Sequence, residues 1–516
     1  MSKLFKNKLE GLQALQRGIH NLSKIICPTL GPQGCQAIIK NGSSIPYTTK
    51  NGAIIAQEFL LPEKTENVGA KLIKQVAQQT RTQVGDGATT TIILAEALFS
   101  QSLKGIELGI DPLDIRQGIT LATGQLLQEL ENNKYILDSP EDIFRTAKVS
   151  TNYDAEITEL VTKLLETAGP YGKISVMESA HHKYPLISTA HTEIDIGYAS
   201  PYFVTDPEDM EVVYHNVYVL LCQQSLSSLN ESFIHFLEKV AQEEKYPLII
   251  IAEDFDPQIL ATLAVNKIRG GLPICALKTT QSANNINLED ISVLTGASIV
   301  GNISGDSFDN VSLGVLGFAN KVLITRNSII FSKGHGDREK IAKHILTLHQ
   351  ANQFSVQQTD NLLEQRLSYF LGNKTNIYLA KEENQQFKNK KLFLKEAIQA
   401  TKIAISGGVV VGGGIALMRS ALSLSIPKDL SPGIAYGYKV ILETAKIPLK
   451  VILKNCGQYT DYNWNIIVEH SDKHFGYNAV NEQFETLMNA KVFDPLLVVQ
   501  TTLRNAVSIS NLLLMT

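Results

Sequence analysis

Gly85-Asp86-Gly87-Ala88-Thr89-Thr90-Thr91 is the most informative stretch of this chain. Its two glycines let backbone approach a ligand closely. Asp86 between them offers a carboxylate with little bulk, and the threonines offer hydroxyls. The N–H groups that open the next helix favour an anion. Phosphates with Mg2+ fit that set, because Mg2+ usually takes one or two carboxylates plus phosphate oxygens. A capped helix after a glycine turn fits it equally well.

Residues 65–83 read as a helix before this stretch, and TIILAEALFSQSL (91–103) reads as one after it. Further upstream Leu9, Leu12, Leu15, Ile19, Leu22 and Ile26 recur at spacings of three and four, one face of an amphipathic helix. That helix should stop at Pro28, since the residue before a proline avoids the α region. TLGPQG (29–34) follows, either an ordinary turn or a second phosphate loop. Asp111-Pro112 opens another helix, with Asp111 as N-cap and Pro112 at the first helical position. GGVVVGGGIALMR (407–419) opens the last helical region. Gly412 and Gly414 satisfy G-x-G, but Leu417 occupies the third glycine position of a dinucleotide fingerprint, and no Gly-Lys-Ser/Thr makes a Walker A loop. These glycines serve either close helix packing or contact with a base and ribose.

The middle changes character. VYVLLC (217–222), PLIIIA (247–252), PICAL (273–277) and KVLIT (321–325) are short apolar strands, with helices over 229–244 and 257–268 and a turn at GHGD (334–337). Residues 338–366 read as a hydrophilic helix, and KEENQQFKNKK (381–391) as a solvated face or loop. A chain helical at both ends and α/β in the middle invites a nested arrangement, the ends building one domain and the middle inserted.

A length of 516 residues suggests two to four domains, and 44% hydrophobic residues supply sizeable cores. The net charge of −4 argues against a general nucleic-acid binder. No apolar run approaches the ~18–20 residues a spanning helix needs, so no membrane is expected. The charged N-terminus lacks a signal-peptide core, which points to the cytoplasm. Five scattered cysteines form no C-x-x-C and no disulfide framework. His181, His182 and His191 are the nearest thing to a metal cluster, without the H-E-x-x-H or C-x-x-C partner zinc would need.

TLGPQG (29–34), TTKNG (48–52), ENVGAKLIKQVA (66–77), GDGATTT, GGVVVGGGIAL (407–417), NCG (455–457), GYNA (476–479) and Asp494-Pro495 come in one order at long, specific separations. Together they resemble the group I chaperonins, the GroEL-like 60 kDa family. GYASPYF (197–203), PLIIIAED (247–254) and LATLAVNKIRG (260–270) resemble its substrate-binding domain. The resemblance runs from about residue 5 to 516, in a diverged form. It implies a mixed α+β, three-domain chaperonin fold. A mainly helical equatorial ATP-binding domain would take 1–132 with 407–516, a small hinge domain 133–189 with 374–406, and an α/β apical domain 190–373. It also implies heptameric rings, usually stacked in pairs, that bind non-native polypeptides on an apolar groove under a 10 kDa-type co-chaperonin lid.

Residue by residue, the resemblance assigns Thr29, Leu30, Gly31 and Pro32 to a phosphate loop, with Lys50 beside it. Asp86 would hold Mg2+, with K+ as a further ion. Gly87, Ala88, Thr89 and Thr90 would line the phosphates, and Gly413, Asn478, Ala479 and Asp494 the base and ribose of ATP. Three positions depart from the family pattern: Asn51 and Glu396 stand where it has Asp, and Ala88 where it has Thr. With Asp86, Glu396 and Asn51 form the expected catalytic set. Misplacement by about 1 Å can cost on the order of 10²-fold in rate, so ATP binding with slow hydrolysis is expected.

The groove positions are Tyr198, Tyr202, Phe203, Ile234, Leu237, Leu260, Ala264 and Val265. Leu260, Ala264 and Val265 share one helical face, which without a client would read as core. Ala264 replaces a larger family residue, so weaker or altered client and lid binding is expected. KTTQSANNIN (278–287) lacks a basic, glycine-rich family loop. Lys450 and Tyr459 stand where the family has an Arg–Glu pair between rings, and the chain ends at SNLLLMT (510–516) without the family's terminal strand. Smaller or less stable oligomers than a double heptamer are expected. A non-cycling paralogue, acting as a passive protein binder or mixed-ring subunit, is the alternative. A small-molecule enzyme lacks any supporting signature.

Overall fold

The computed structural model describes residues 8–40, 46–137, 139–151, 154–169, 172, 174–179, 186–190, 192–226, 231–243, 246–270, 272–279, 287–301, 312–354, 360–371, 374–380 and 385–516. His181, His182, His191 and most of the 278–287 segment lie outside them. The chain divides into two compact units, 1–163 with 381–516, and 164–380.

The first unit is a helical bundle. The helix Lys8–Ile26 buries Leu12, Ile19, Leu22 and Ile26 and ends two residues before Pro28 in a short 3-10 turn. Lys64–Val84 and Ala88–Glu107 flank the glycine heptapeptide. Leu496–Leu514 packs against both. Asp111 caps Pro112–Asn132 by accepting from Leu113 N at 2.9 Å. That helix lies directly on Pro432–Thr444, because Gly118 and Gly437 carry no side chains. A Cβ on Gly118 would sit 2.0 Å from Ile434 O, and one on Gly437 2.1 Å from Ile115 O. Three small antiparallel pairs decorate the bundle: Ala37–Ile39 with Tyr47–Thr49, Val409–Val411 with Phe493–Pro495, and Phe475–Asn478 with Gln483–Thr486. The polar stretch after 385 is not a loop; it starts the long helix Gln385–Gly407.

The second unit is built on a seven-stranded mixed sheet. Val212–Cys222, Leu248–Ala252 and Ile274–Lys278 run parallel, linked by the helices Glu231–Glu243 and Pro257–Ile268. Gly317–Ile324, Ile329–Gly334 and Glu193–Ile194 extend it antiparallel. Leu248–Ala252 is buried at every position, as expected of a parallel strand covered on both faces. A separate sheet joins Ile174–Ser179 and Leu186–Ala190 to the distant strand Lys374–Ala380. The segment after Gly334 forms two helices, Arg338–Phe354 and Asp360–Leu371, rather than one. Among the described residues, no helix is long and apolar enough to cross a membrane.

Candidate functional site

A cavity of about 780 Å3 opens within the first unit. Its first wall is the loop after Lys8–Ile26. Gly31 turns it at φ +88°, Gly34 N donates to Gly31 O at 3.1 Å, and Cys35 N closes on Pro28 O at 2.8 Å. Asn455 pins the loop, its Nδ2 donating to Cys27 O and Leu30 O at 2.9 Å each. Lys50 Nζ rests on Pro32 O at 3.0 Å. Thr29, Leu30, Gly31, Pro32 and Lys50 all line the cavity.

The second wall is the glycine heptapeptide. Gly85 ends one helix at φ +76° and Gly87 caps the next at φ +84°. Side chains are excluded at both: a Cβ on Gly85 would meet Glu396 O at 2.8 Å, and one on Gly87 Thr502 Oγ1 at 2.4 Å. Asp86 is thereby held at the lip of a helix N-terminus, its Oδ1 accepting from Gly87 N at 2.6 Å. Ala88, Thr89 and Thr90 follow along the cavity.

The third wall comes from the C-terminal stretch. Pairing of Val410 with Asp494 sets Asp494 beside the 412–414 glycines. Both readings of those glycines hold. Both Gly413 and Gly414 line the cavity, and Gly414 serves packing as well, since a Cβ there would lie 2.7 Å from Leu449 N. Asn478 and Ala479 line it too. The Asn478 side chain is engaged locally, with Nδ2 donating to Glu485 at 2.7 Å and Oδ1 accepting from Val480 N at 3.0 Å.

Glu396 enters from Gln385–Gly407, a helix tied to the last turn of Lys64–Val84 by Gln399 donating to Thr82 O and Gln83 O. Asn51 caps Gly52–Glu58 through Oδ1, at 3.0 Å from Ala53 N and 3.3 Å from Ile54 N. Its Nδ2 donates to Glu396 Oε2 at 3.0 Å. Two of the departures from the family pattern thus touch each other. An aspartate at 51 would set like charges face to face. Arg81 Nε takes the other oxygen, Glu396 Oε1. Arg81 was invisible as a site residue, because an arginine in a polar helix reads as solvated. Its position four residues before Gly85 is the signal that could have found it.

Burial pushes the Glu396 carboxyl up to about 7; Arg81 opposes the shift and the nearby Asp86 adds to it. Asp494 is likewise pushed up to about 7 by burial and then by Asp86. Asp86 is raised by its enclosure in protein although water reaches it through the cavity mouth. Three carboxyls, of which Glu396 is paired with Arg81, face one cavity beside a helix N-terminus and a glycine loop. That donor set suits a hard cation with phosphates. No three acidic, histidine or cysteine side chains among the described residues enclose a metal by themselves, so phosphate oxygens would complete the coordination.

In the second unit, Tyr202 is 70% exposed, Val265 44% and Ile234 42%, with Leu237 and Leu260 half-buried beside them. Lys267 Nζ ties the Tyr202 turn down by donating to Tyr202 O and Val204 O at 3.1 and 2.7 Å. Tyr198, Phe203 and Ala264 lie beneath this face, inside the unit's core. A spacing of four residues sets Ala264 near Leu260 without deciding which looks outward. The small Ala264 therefore shapes the core under the face. Ile268, 67% exposed one turn beyond Val265, extends the face.

The profile of the TCP-1/cpn60 chaperonin family matches residues 22–516. Chaperonin GroEL 2 of Chlamydia caviae is 45% identical over 100% of this chain and 96% of its own. Chaperonin GroEL 2 of Chlamydia pneumoniae is 38% identical, covering 99% and 97%. Chaperonin GroEL 1 of Protochlamydia amoebophila is 33% identical, covering 100% and 93%. Among solved structures, chaperonin gp146 of bacteriophage EL 2 (Pseudomonas aeruginosa), determined in the presence of ATP-BeFx, superposes with a TM-score of 0.77 over 98% of this chain and 97% of that one, at 19% identity.

Proposed function

The chain belongs to the TCP-1/cpn60 chaperonin family and is a chaperonin that assists protein folding, and we propose that it does so through a slow ATP cycle run in the cavity of its first unit. The single observation that carries this reading is the convergence of the motif residues. Thr29–Pro32, Lys50, Asn51, Asp86–Thr90, Glu396, Gly413, Asn478, Ala479 and Asp494 come from opposite ends of the chain and line one cavity.

In this reading the Thr29–Pro32 loop and the helix N-terminus at 88–90 receive the phosphates, and Lys50 leaves Pro32 O to meet them. Asp86 holds Mg2+, which when bound neutralises phosphate charge. Gly413, Ala479 and Asp494 face the nucleoside, while Asn478 keeps its hairpin in shape. Glu396 orients the attacking water. Phosphoryl transfer is mostly positioning and charge stabilisation, so this set suffices. Slowness follows from the grip on Glu396, since one carboxylate oxygen is held by Arg81 and the other by Asn51. The same grip favours the second reading, a non-cycling binder or mixed-ring subunit.

The domain reading follows the family: 1–132 with 407–516 equatorial, 133–189 with 374–406 hinge, 190–373 apical. Non-native polypeptides and a co-chaperonin lid would meet the face of Tyr202, Ile234, Leu237, Leu260 and Val265. Exposed apolar surface of this kind marks a binding site. Stacking of rings would be weak. Lys450 Nζ lies 4.9 Å over the Trp464 ring and Tyr459 packs edge-on to it, so both are engaged within the subunit and offer no ion pair. The compartment we assign is the cytoplasm.

Calorimetric titration of Mg·ATP tests the reading. Wild-type protein should bind, and Asp86→Ala should bind at least about tenfold more weakly, the loss of one strong charged contact. Wild-type protein that binds no nucleotide would end the proposal.

A further inference from the structure

Arg81 is among the most enclosed charged side chains of the first unit, 7% exposed, and it lines the nucleotide cavity. Its backbone carbonyl receives Gly85 N at 2.8 Å, so its helix hands directly into the glycine loop. Its side chain is only half used. Nε is paired with Glu396 Oε1, but Nη2 is buried with no hydrogen-bond partner. A buried guanidinium nitrogen left unpaired is costly, and native proteins rarely keep one without a use for it.

Charge around the cavity indicates that use. Asp86, Glu396 and Asp494 all face it, and with no cation bound the Asp86 and Glu396 carboxylates would repel an incoming terminal phosphate. Lys50 is parked on Pro32 O, by the loop after the first helix. Arg81 is the cation already seated on Glu396, the carboxylate assigned to the attacking water. A guanidinium presents several donors in a planar fork, suited to holding a carboxylate and a phosphate at once.

Resting on the nucleotide reading above, we propose that Arg81 is the residue by which this cavity tells a nucleoside triphosphate from a diphosphate. Nε stays on Glu396 while Nη2 donates to an oxygen of the terminal phosphate. The phosphate then completes the hydrogen bonding of a buried donor, and its presence is coupled through one side chain to the position of Glu396. A diphosphate leaves Nη2 as it is in the nucleotide-free protein.

Binding alone tests this, without turnover. Calorimetry with Mg2+ would compare ADP with the β,γ-imido analogue of ATP on wild type, Arg81→Ala and Arg81→Lys. Arg81→Ala should weaken the triphosphate analogue about tenfold or more, as for loss of a charged hydrogen bond. ADP should stay within about threefold. Arg81→Lys keeps the charge beside Glu396 and so keeps the fold, but its ammonium is one compact point and cannot occupy the two separate positions that Nε and Nη2 hold in the rigid planar fork. It should still weaken the analogue at least about threefold relative to ADP. A ratio of the two affinities in Arg81→Lys equal to wild type, or equal losses for both nucleotides in Arg81→Ala, overturns the assignment. Wild-type protein that binds neither nucleotide overturns the nucleotide reading itself, and this inference with it.

Discussion

Two buried arginine–carboxylate pairs, one in each unit, are built to different standards. In the second unit Asp290 is 1% exposed and fully engaged. Arg366 grips it with Nε at 2.8 Å and Nη2 at 2.9 Å, and His344 Nε2 adds a third contact at 2.7 Å. The grip raises the Arg366 guanidinium further above its ordinary range. In the first unit Arg81 grips Glu396 with Nε only and leaves Nη2 unpaired, while Asn51 holds the opposite oxygen. The closed cluster ties the helices Leu288–Thr295, Arg338–Phe354 and Asp360–Leu371 together, and its chemistry ends there. The open one faces a cavity. The closed network is complete within the protein; the open one keeps the donor assigned above to a phosphate.

The comparison breaks most directly at Asp290. Asp290→Ala leaves Arg366 and His344, 19% and 17% exposed, without their carboxylate and should destabilise the protein by about 3 kcal/mol, read as a lower urea midpoint. Nucleotide affinity should not move. An unchanged midpoint would show that the closed cluster does not hold its helices. Next in size is Glu396→Gln. It keeps the shape but turns one of the two accepting oxygens into an NH2 that faces a donor and removes the charge opposite Arg81, so stability should fall by about 1–2 kcal/mol. ATP turnover should fall on the order of 10²-fold, in the range general acid–base groups supply. A large loss of stability with turnover intact would move Glu396 into the structural class.

The apolar face of the second unit supplies a further contrast, surface left open for a different ligand. Leu237→Ser with Leu260→Ser should abolish capture of a denatured client, measured by suppression of its aggregation. Nucleotide binding should be intact. Unchanged capture would move the binding face elsewhere.

The smallest effect is in pH. Glu396 and Asp494 are pushed up to about 7, above their values in an unfolded chain. Their proton-bound forms therefore favour the fold fully below about pH 4, and that contribution is lost as pH rises through about 7. Magnesium and nucleotide compete with those protons. The rise in thermal midpoint on adding Mg·ADP should accordingly be larger at pH 8 than at pH 6 by a few degrees, of the order expected for about 1 kcal/mol. A rise larger at pH 6 would contradict the account of the three carboxyls.

Much of the fold was legible because it rests on local signals. The Leu9-to-Ile26 stripe, the Asp111-Pro112 start and the apolar runs at 217–222 and 247–252 each specify an element without help from elsewhere. The glycine motifs were legible as a set, since their order along the chain matches a known pattern. Three things were not. Arg81 and Glu396 are 315 residues apart, and no periodicity couples them. The burial of Phe203 and Ala264 depends on what packs beneath the exposed apolar face of the second unit, which helical spacing does not encode. The polar start of Gln385–Gly407 reads by composition as a solvated face or a loop, and nothing in it decides between them; the helix runs through it.

The central claim is that the nucleotide cavity is intact but its water-orienting carboxylate is over-restrained. Steady-state Mg2+-dependent ATP turnover of wild type, Asp86→Ala and the double variant Asn51→Asp, Glu396→Asp tests it most directly. The account predicts wild-type turnover above the Asp86→Ala blank, and at least about tenfold faster turnover in the double variant, which restores the family's two aspartates and releases the grip. Wild-type turnover at the blank, or a double variant no faster than wild type, would contradict it.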